Sequence, residues 1–400
     1  MNQNRKELFS AEKKVSYMMQ TELVPSKYGE AKYTEGDAIN PTYPNLAEKD
    51  YDRAEQQFIQ WLNTEDLDQH LESQAIDCCQ FEQVLATAIT TAYQNESDQD
   101  PQSYDLAHRF LQRILYRINR LKLFWYDDLQ HYVNEQSFYL KKIQHQIETA
   151  WQQWEARQLD QSSDRPSYQE IDVKQALIDR TQADVDPPIS EEGLFFRDRI
   201  GEAGYRRLVA IGSLDGLVEA SQLSRTIGGV ANEVHSVLTR LLVEEYGGGR
   251  LARKHSSYFK TMLEELDMQT EPEAYLGIVP WEVLAIINHS FFLTERKRYF
   301  LRYIGGLLYG ELTVPATFRN YQAAGERLGL SDSAMSYWKL HIKVDELHGK
   351  WMLEDAALPL VDRYPEDAWE MVFGYDQQRL MSDRAGRAVT RSVQAAEQEG

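Results

Sequence analysis

The fold is decided by the stretch Tyr337-Trp338-Lys339-Leu340-His341-Ile342-Lys343-Val344-Asp345-Glu346-Leu347-His348. Its apolar residues recur at helical spacing, and His341, Asp345 and His348 interrupt the apolar face instead of lying opposite it. At about 100° per residue, positions i, i+4 and i+7 fall within about 60° of one another on a helix, so the three side chains converge. Because buried imidazoles and carboxylates need partners, the pattern predicts either a bound metal cation or a hydrogen-bonded polar seam.

Two further polar residues interrupt apolar helix faces in the C-terminal half. Glu311 completes an apolar stripe shortly before Pro315, which is expected to end its helix. His255 precedes Phe259 and Met262 at helical spacing, so its imidazole should also face the core. Either residue alone would more often be solvated or satisfied by a hydrogen bond, so only several such residues together indicate a binding site.

Glu245 continues the pattern on the helix that precedes His255. It follows Leu238 on the apolar face. The run Gly247-Gly248-Gly249 has neither a preceding strand nor a following Gly-Lys-Ser, which argues against a phosphate-binding loop. We interpret the three glycines as a break between two helices that lets Glu245 and His255 reach one centre.

Glu219 is the last candidate, in an amphipathic stretch for which Ser213 is the expected N-cap. Together, several helices each direct a carboxylate or an imidazole inward. A carboxylate-rich group without thiolates suits iron or manganese better than structural zinc, and acidic helices of a bundle are known to build dinuclear sites. The residues therefore predict a site for two metal ions.

Composition and periodicity indicate an all-α protein. The chain has 400 residues, 42% of them hydrophobic, which is enough for two domains with sizeable cores. Long segments repeat apolar residues at intervals of three and four, as helices do. The expected organisation is a weakly structured segment over 1–50, a helical N-terminal domain over 51–156, a polar linker over 157–192 and a second helical domain over 193–390. Candidate helices of the N-terminal domain are 52–64, 66–95, 103–122 and 124–156.

The N-terminal domain shows no pattern that indicates chemistry. Its histidines are scattered without ligand spacing and are expected at the surface or at helix ends: His70, His108, His131 and His145. One helix carries an apolar stripe that predicts either core or a dimer surface: Phe110, Ile114, Ile118 and Leu121, followed by Trp125. The simplest function for this domain is association, so we expect a homodimer.

Charge and cysteine usage narrow the possible partners. A formal net charge of -20 disfavours nucleic acid. The two cysteines, Cys78 and Cys79, are adjacent and lie far from the predicted ligands, which argues for a reducing compartment and against zinc-thiolate or iron-sulfur chemistry. No signal peptide or membrane span is recognisable. We expect a cytoplasmic protein without a membrane or nucleic-acid partner.

The motifs together resemble the heme-oxygenase-like diiron oxidase and oxygenase superfamily, over about residues 190–385. The resemblance rests on Glu219, the segment from Glu244 through the three glycines to His255, Glu311, and the spacing of His341, Asp345 and His348. It implies a heme-oxygenase-like helical bundle. It also implies six ligands, three histidines and three carboxylates: Glu219, His255, Glu311, His341, Asp345 and His348.

Within the superfamily, the chain is most similar to members that oxygenate nitrogen. Such members bring a further carboxylate, and Glu245 stands in its place, with Glu244 as the competing candidate. The resemblance implies two Fe(II) ions, with Mn possible, O2 as co-substrate and an amine or guanidine of an amino acid-like metabolite as substrate. No flavin or dinucleotide fingerprint is present, so electrons are expected from an external donor.

Three alternatives remain open at the level of sequence. A diiron oxidase of the same superfamily could instead perform oxidative C–C cleavage, decarboxylation or desaturation of an amino or fatty acid. A cofactorless relative, similar to the quinone-forming enzyme of pyrroloquinoline biosynthesis, would use histidines as acid and base. A non-enzymatic helical interaction protein would need neither. Tyr299, Tyr303 and Tyr337 are either pocket-lining or ordinary core aromatics.

Overall fold

The computed structural model describes residues 46–94, 100–125, 128–160, 167–229 and 232–399, and within these ranges the protein consists of helices and turns without a strand. The first eight α-helices are α1 (Leu46–Leu62), α2 (Leu67–Glu72), α3 (Cys79–Tyr93), α4 (Pro101–Asn119), α5 (Phe138–Asp160), α6 (Val173–Asp184), α7 (Glu191–Leu194) and α8 (Glu202–Gly216). The others are α9 (Ser224–Ile227), α10 (Glu233–Glu245), α11 (His255–Glu265), α12 (Trp281–Thr294), α13 (Phe300–Arg327), α14 (Ser336–Trp351), α15 (Leu358–Arg363) and α16 (Trp369–Glu399). The all-α prediction is confirmed.

Short segments of other helical types connect these elements. The 3₁₀ turns are Arg120–Lys122, Leu129–Tyr132, Tyr168–Glu170, Ser221–Leu223, Gly247–Gly249, Leu251–Arg253, Leu276–Ile278 and Lys297–Tyr299, and π-helical turns occur at Phe195–Arg199 and Met352–Ala357. In the part of the chain that the structure describes, no helix is long and apolar enough to cross a membrane. The expectation for residues 1–50 lies outside the described residues up to position 45.

Two helices of the N-terminal half are shorter than the apolar pattern predicts. The expected helix 66–95 is broken between α2 and α3, where Gln74 adopts a left-handed conformation with φ of 58°. The expected helix 124–156 begins only at Phe138. There the side chain of Asp68, from α2, accepts hydrogen bonds from the backbone N–H groups of Phe138 (2.7 Å) and Tyr139 (3.1 Å) and so caps α5. Because this cap comes from a residue distant in sequence, no local sequence pattern predicts where α5 begins.

The apolar stripe of α4 lies in the core and not on a dimer surface. Phe110, Ile114 and Ile118 are buried against neighbouring helices of the same chain. His108 corrects the expectation of a surface histidine, because it is fully buried with its ring centroid 4.1 Å from that of Trp281. His70 and His145 are exposed as expected. Homodimer formation stays a prediction.

The segment expected as a linker contains a packed helix. Residues 173–184 form α6, whose Leu177 is fully buried. Arg180 of α6 binds the carboxylate of Asp376 on α16, with Nε 2.7 Å from Oδ1. All described residues belong to one compact unit. The division into domains stays a prediction.

Two long helices, α13 and α16, cross with their backbones in contact. A Cβ atom placed on Gly305 of α13 would lie 1.9 Å from the carbonyl oxygen of Met371, and one on Gly374 of α16 would lie 2.1 Å from the carbonyl oxygen of Arg302. Only glycine permits this approach at either position. The contact fixes α13, and with it Glu311, relative to the C-terminal helix.

We expect Gly305→Ala to lower the free energy of unfolding by about 1–3 kcal/mol or more, because the added methyl group overlaps backbone that cannot move away alone. The matched control is Gly386→Ala in α16, where a Cβ meets no atom within 4 Å. That change should be neutral or stabilise by up to about 1 kcal/mol, as alanine favours helix. Urea unfolding of both variants measures the difference, and equal midpoints would contradict the close crossing.

Candidate metal centre

The predicted triplet of two histidines and an aspartate lies on the helix α14, as expected. His341, Asp345 and His348 are all buried, and they face the space between α8, α10, α11 and α13. The Nδ1 of His341 is 2.9 Å from the carbonyl oxygen of Tyr337, one turn earlier. Since that nitrogen donates to a carbonyl, the neutral ring has its lone pair on Nε2, which points toward the other predicted ligands.

Glu219 reaches the same space by a different route from the predicted one. Ser213 is not an N-cap but lies inside α8, where its hydroxyl donates to the carbonyl oxygen of Ala210. The helix ends at Gly216, and Glu219 belongs to the turn that follows it. The next residue, Ala220, has a left-handed φ of 58° that reverses the chain. The turn directs the Glu219 carboxylate back toward α14.

Glu245 and His255 meet across the three glycines. Gly247, Gly248 and Gly249 all have positive φ, between 60° and 77°. At Gly247 a Cβ would also lie 2.4 Å from the backbone carbon of Arg253, so this position has no space for a side chain. The reversal brings Glu245 Oε2 to 2.8 Å from His255 Nδ1. His255 is the first residue of α11.

Glu311 lies within a continuous helix, because Pro315 does not end α13. The helix runs from Phe300 to Arg327 and contains Pro315 in its interior. Proline removes the one backbone hydrogen bond that would satisfy the carbonyl of Glu311. Packing of α13 against α14 and α16 on both sides of that point keeps the helix intact. The Glu311 carboxylate reaches His348, with Oε2 3.3 Å from Nδ1.

Six of the seven predicted residues form two groups that each could hold a metal ion, and Glu311 lies beside the second group through its contact with His348. The first contains Glu219, Glu245, His255 and His341, and the second contains Glu245, Asp345 and His348. In the first group, His341 Nε2 is 2.9 Å from Glu219 Oε1 and 3.1 Å from His255 Nδ1. In the second, His348 Nδ1 is 3.3 Å from Asp345 Oδ1 and 3.6 Å from Glu245 Oε1.

Glu245 is the member that the two groups share, and each of its oxygens serves one group. Oε2 faces His255 and Oε1 faces His348. Glu244, the competing candidate, lies outside both groups. It is 41% exposed, and its Oε2 is 3.1 Å from His348 Nε2, the ring nitrogen opposite the one that faces the group. Glu244 therefore orients the His348 ring.

The residues fit a bound cation better than they fit one another. Three buried atoms that face the groups make no hydrogen bond: Glu219 Oε2, Asp345 Oδ1 and His348 Nδ1. His348 Nδ1 faces oxygens of three carboxylates, yet a ring nitrogen donates to one acceptor at most. Atoms that bind one ion at about 2.1 Å stand about 3.0–3.4 Å apart, close to the separations found here.

The buried carboxylates of the two groups also favour positive charge on their neighbours. Burial alone would lower the pKa of His341, but the Glu219 carboxylate raises it to about 10. Burial likewise opposes the charge of His348, whereas Asp345 and Glu311 raise its pKa to about 11. Burial and the charges of Glu219 and Glu311 raise the pKa of Glu245 well above its usual range. The carboxylates thus hold protons on the His341 and His348 rings, and a metal ion would have to replace those protons.

Metal uptake should therefore release protons. At neutral pH the raised pKa values of about 10 for His341 and about 11 for His348 keep both imidazoles protonated, so each must lose a proton to bind an ion. The affinity for Mn(II) should rise as pH rises from about 6 to about 8. Calorimetric titration in buffers of different ionisation enthalpy counts the protons. A pH-independent affinity without proton release would contradict the assignment of these two ligands.

A cavity of about 300 Å³ adjoins the two groups. Five of the predicted ligands line it: Glu219, Glu245, Glu311, His341 and Asp345. Apolar side chains, including Ile287, Leu293 and Phe318, form much of the remaining wall. Tyr303 and Tyr337 line it too, whereas Tyr299 is instead stacked on Phe292, with ring centroids 5.1 Å apart. A small molecule in this cavity would lie directly beside the ligands.

The sequence did not predict the contacts that several residues make around the two groups. Tyr337 donates from its hydroxyl to Glu219 Oε1 at 2.9 Å, and only its aromatic character had been considered. Asp215, also in the cavity wall, was not recognised at all. Its one signal is that it precedes Glu219 by four residues. Glu244 was weighed as a ligand and not as the partner of one.

Comparison with known proteins agrees with the geometry. The model of a family described as iron-containing redox enzyme matches residues 206–381. A nitrosourea synthase of Streptomyces achromogenes subsp. streptozoticus is 25% identical over 214 residues, 53% of this chain and 45% of that relative. The similar part is thus less than half of the relative's length.

All seven predicted residues, from Glu219 to His348, lie within the segment that matches the family. The resemblance inferred from their spacing is confirmed at the level of the family, and the helical architecture agrees with it. Residues 206–381 are therefore similar to the iron-containing redox enzyme family, and their all-α architecture agrees with a heme-oxygenase-like fold.

Proposed function

We propose that this protein is a non-heme diiron oxygenase that uses O2 to oxidise a nitrogen of an amine or guanidine in an amino acid-like metabolite. The observation that carries the proposal is the position of Glu245. Its Oε2 is 2.8 Å from His255 Nδ1, and its Oε1 is 3.6 Å from His348 Nδ1. A carboxylate that presents one oxygen to each of two groups supports two ions bound side by side.

Charge supports two ions over one. The two groups and Glu311 contribute four carboxylates, Glu219, Glu245, Glu311 and Asp345, and three imidazoles. Two divalent cations balance four carboxylates when the imidazoles are neutral, whereas one cation would leave a buried excess of negative charge. The mixture of oxygen and imidazole ligands without a thiolate suits iron or manganese.

The chain's own residues hold and orient this site. When bound, two ferrous ions supply electrons to O2 and make one of its oxygen atoms available for transfer. The Tyr337 carbonyl and the Glu244 carboxylate fix the rings of His341 and His348, respectively. The Tyr337 hydroxyl holds Glu219 through a hydrogen bond. Phe318 packs against His341, with ring centroids 5.5 Å apart, and shields that side of the site from water.

The cavity favours a nitrogen substrate over a fatty acid. Its lining includes acidic residues but, among the residues that the structure describes, no Lys or Arg that could pair with the carboxylate of a fatty acid. The name of the similar nitrosourea synthase also points to chemistry at nitrogen. Oxidative attack on carbon remains the alternative that a substrate screen must separate.

A non-enzymatic or metal-free role has less support. If the polar residues only satisfied one another, three carboxylate oxygens would not converge within 3.6 Å of a single His348 nitrogen. Acid-base chemistry without a metal would leave the same atoms unsatisfied.

Anaerobic reconstitution with ferrous iron, followed by rapid mixing with O2, tests the proposal. Two irons per chain and a transient ultraviolet-visible absorption after mixing are expected. A panel of amines, guanidines, amino acids and fatty acids is then screened for a compound that speeds decay of the transient and gains an oxygen atom on nitrogen. A product oxidised only at carbon would support the alternative, and a protein that binds no iron would rule out both.

The remaining features of the proposal concern the surroundings of the enzyme. We propose a small-molecule substrate and an external electron donor, since the sequence has no flavin or dinucleotide fingerprint. We also propose a cytoplasmic homodimer without a nucleic-acid or membrane partner. Mass measurement of the native protein tests the oligomeric state.

A further inference from the structure

Asp215 is a carboxylate of the cavity wall that belongs to neither group of predicted ligands. It lies near the end of α8, four residues before Glu219, and lines the same cavity. Its side chain is exposed where it lines the cavity. Burial and the charge of Glu219 raise the pKa of its carboxyl group to about 6.

The surroundings of Asp215 leave its charge without a counter-ion. Its side chain makes no hydrogen bond or ion pair with any residue in the described ranges, whereas the buried Glu282 has Arg391 at 3.2 Å. The other acidic residues of the cavity are predicted ligands, whose charge two divalent ions would balance. Asp215 is thus the carboxylate whose charge stays available to a molecule in the cavity.

The remaining polar groups of the wall are neutral. Gln222, Ser290, Tyr303 and Gln378 line the cavity together with its apolar residues. Such a wall can accept the apolar or neutral part of a molecule, and the Asp215 carboxylate is the single fixed charge that it offers. A cationic nitrogen group matches that charge, and an anionic group would meet repulsion from it.

We propose that Asp215 binds the cationic amine or guanidinium group of the substrate and holds it beside the Glu219 side of the metal site. This inference rests on the proposed function for the identity of the neighbouring ions. It adds the class of substrate, a small organic cation, and the residue that selects it. Asp215 and Glu219 line the same cavity, so the same contact both selects the substrate and positions it near the predicted ligands.

Binding to protein loaded with Mn(II) tests the proposal without any turnover. The probes are n-butylguanidinium and its neutral analogue of the same shape, n-butylurea, measured by titration calorimetry. Wild-type protein should bind the cation about tenfold or more tightly than the urea, the usual effect of a charge-assisted hydrogen bond. Asp215→Asn should remove this preference, and Asp215→Glu, which keeps the charge, should retain it.

Asp179→Asn is the matched control, because Asp179 is an exposed carboxylate on α6. This variant should keep the preference for the cation. Manganese content, measured on every variant, should be unchanged. A preference that survives in Asp215→Asn would overturn the proposal, as would wild-type protein that binds both probes equally or binds neither. If the iron-loaded protein fails to react with O2, the proposed function fails separately, since the cation preference is measured without O2 chemistry.

Discussion

Replacing His348 with Ala will lower the iron content of the reconstituted protein from two ions per chain to about one and reduce substrate oxidation by about 100-fold or more. His348 is fully buried and is the imidazole that faces Glu245, Glu311 and Asp345. Without it, that group has only carboxylates to hold an ion. The first group, with His255 and His341, stays intact.

Iron analysis after anaerobic reconstitution, together with product formation, measures this effect. His145→Ala is the control, because His145 is an exposed histidine on α5. It should retain both ions and full activity. A His348→Ala protein with two tightly bound irons would show that His348 is not a ligand.

The second large effect separates Glu245 from its neighbour Glu244. Glu245→Ala removes the carboxylate that serves both groups, so the affinity for each ion and the rate of oxidation should fall by about 100-fold or more. Glu244→Ala removes only the partner of His348 Nε2, at 3.1 Å. Loss of such an orienting contact costs about 10–100-fold in affinity or activity.

Which of the two ions loses affinity distinguishes Glu245 from Glu244 better than the size of the loss does. Glu245→Ala should weaken both ions, and Glu244→Ala should weaken only the ion held by His348. Glu245→Gln is an additional variant that keeps the size of the side chain but removes its charge. If Glu244 were the ligand, Glu244→Ala would instead weaken both ions and Glu245→Ala only one. Metal titration monitored by calorimetry would detect that.

The part of the site that follows helical periodicity could be predicted from the sequence. His341, Asp345 and His348 lie on one helix, so their spacing alone determines that they converge. Glu311 was found by the same reasoning, although the predicted helix end at Pro315 was wrong. Tertiary packing held α13 straight through a residue whose local preference is to stop a helix.

Features that depend on distant parts of the chain could not be predicted. The start of α5 is set by Asp68, which is remote in sequence. Asp215 becomes significant only when helices α12 and α13 close a cavity over it. The roles of Glu244 and Glu245 differ because Glu245 faces both groups, whereas Glu244 contacts only the outer nitrogen of His348. Adjacent residues at a helix end give no periodicity from which to choose between them.

The proposed ligands come from five separate segments, between Glu219 and His348, and only the folded chain brings them together. An unfolded chain has no comparable site, so bound metal stabilises the native state by mass action. Each tenfold rise in free metal above the dissociation constant adds about 1.4 kcal/mol per ion to the free energy of unfolding. If iron binds as proposed, the protein becomes easier to unfold and to degrade when iron is scarce, and its abundance in a cell follows the iron supply as well as its own synthesis.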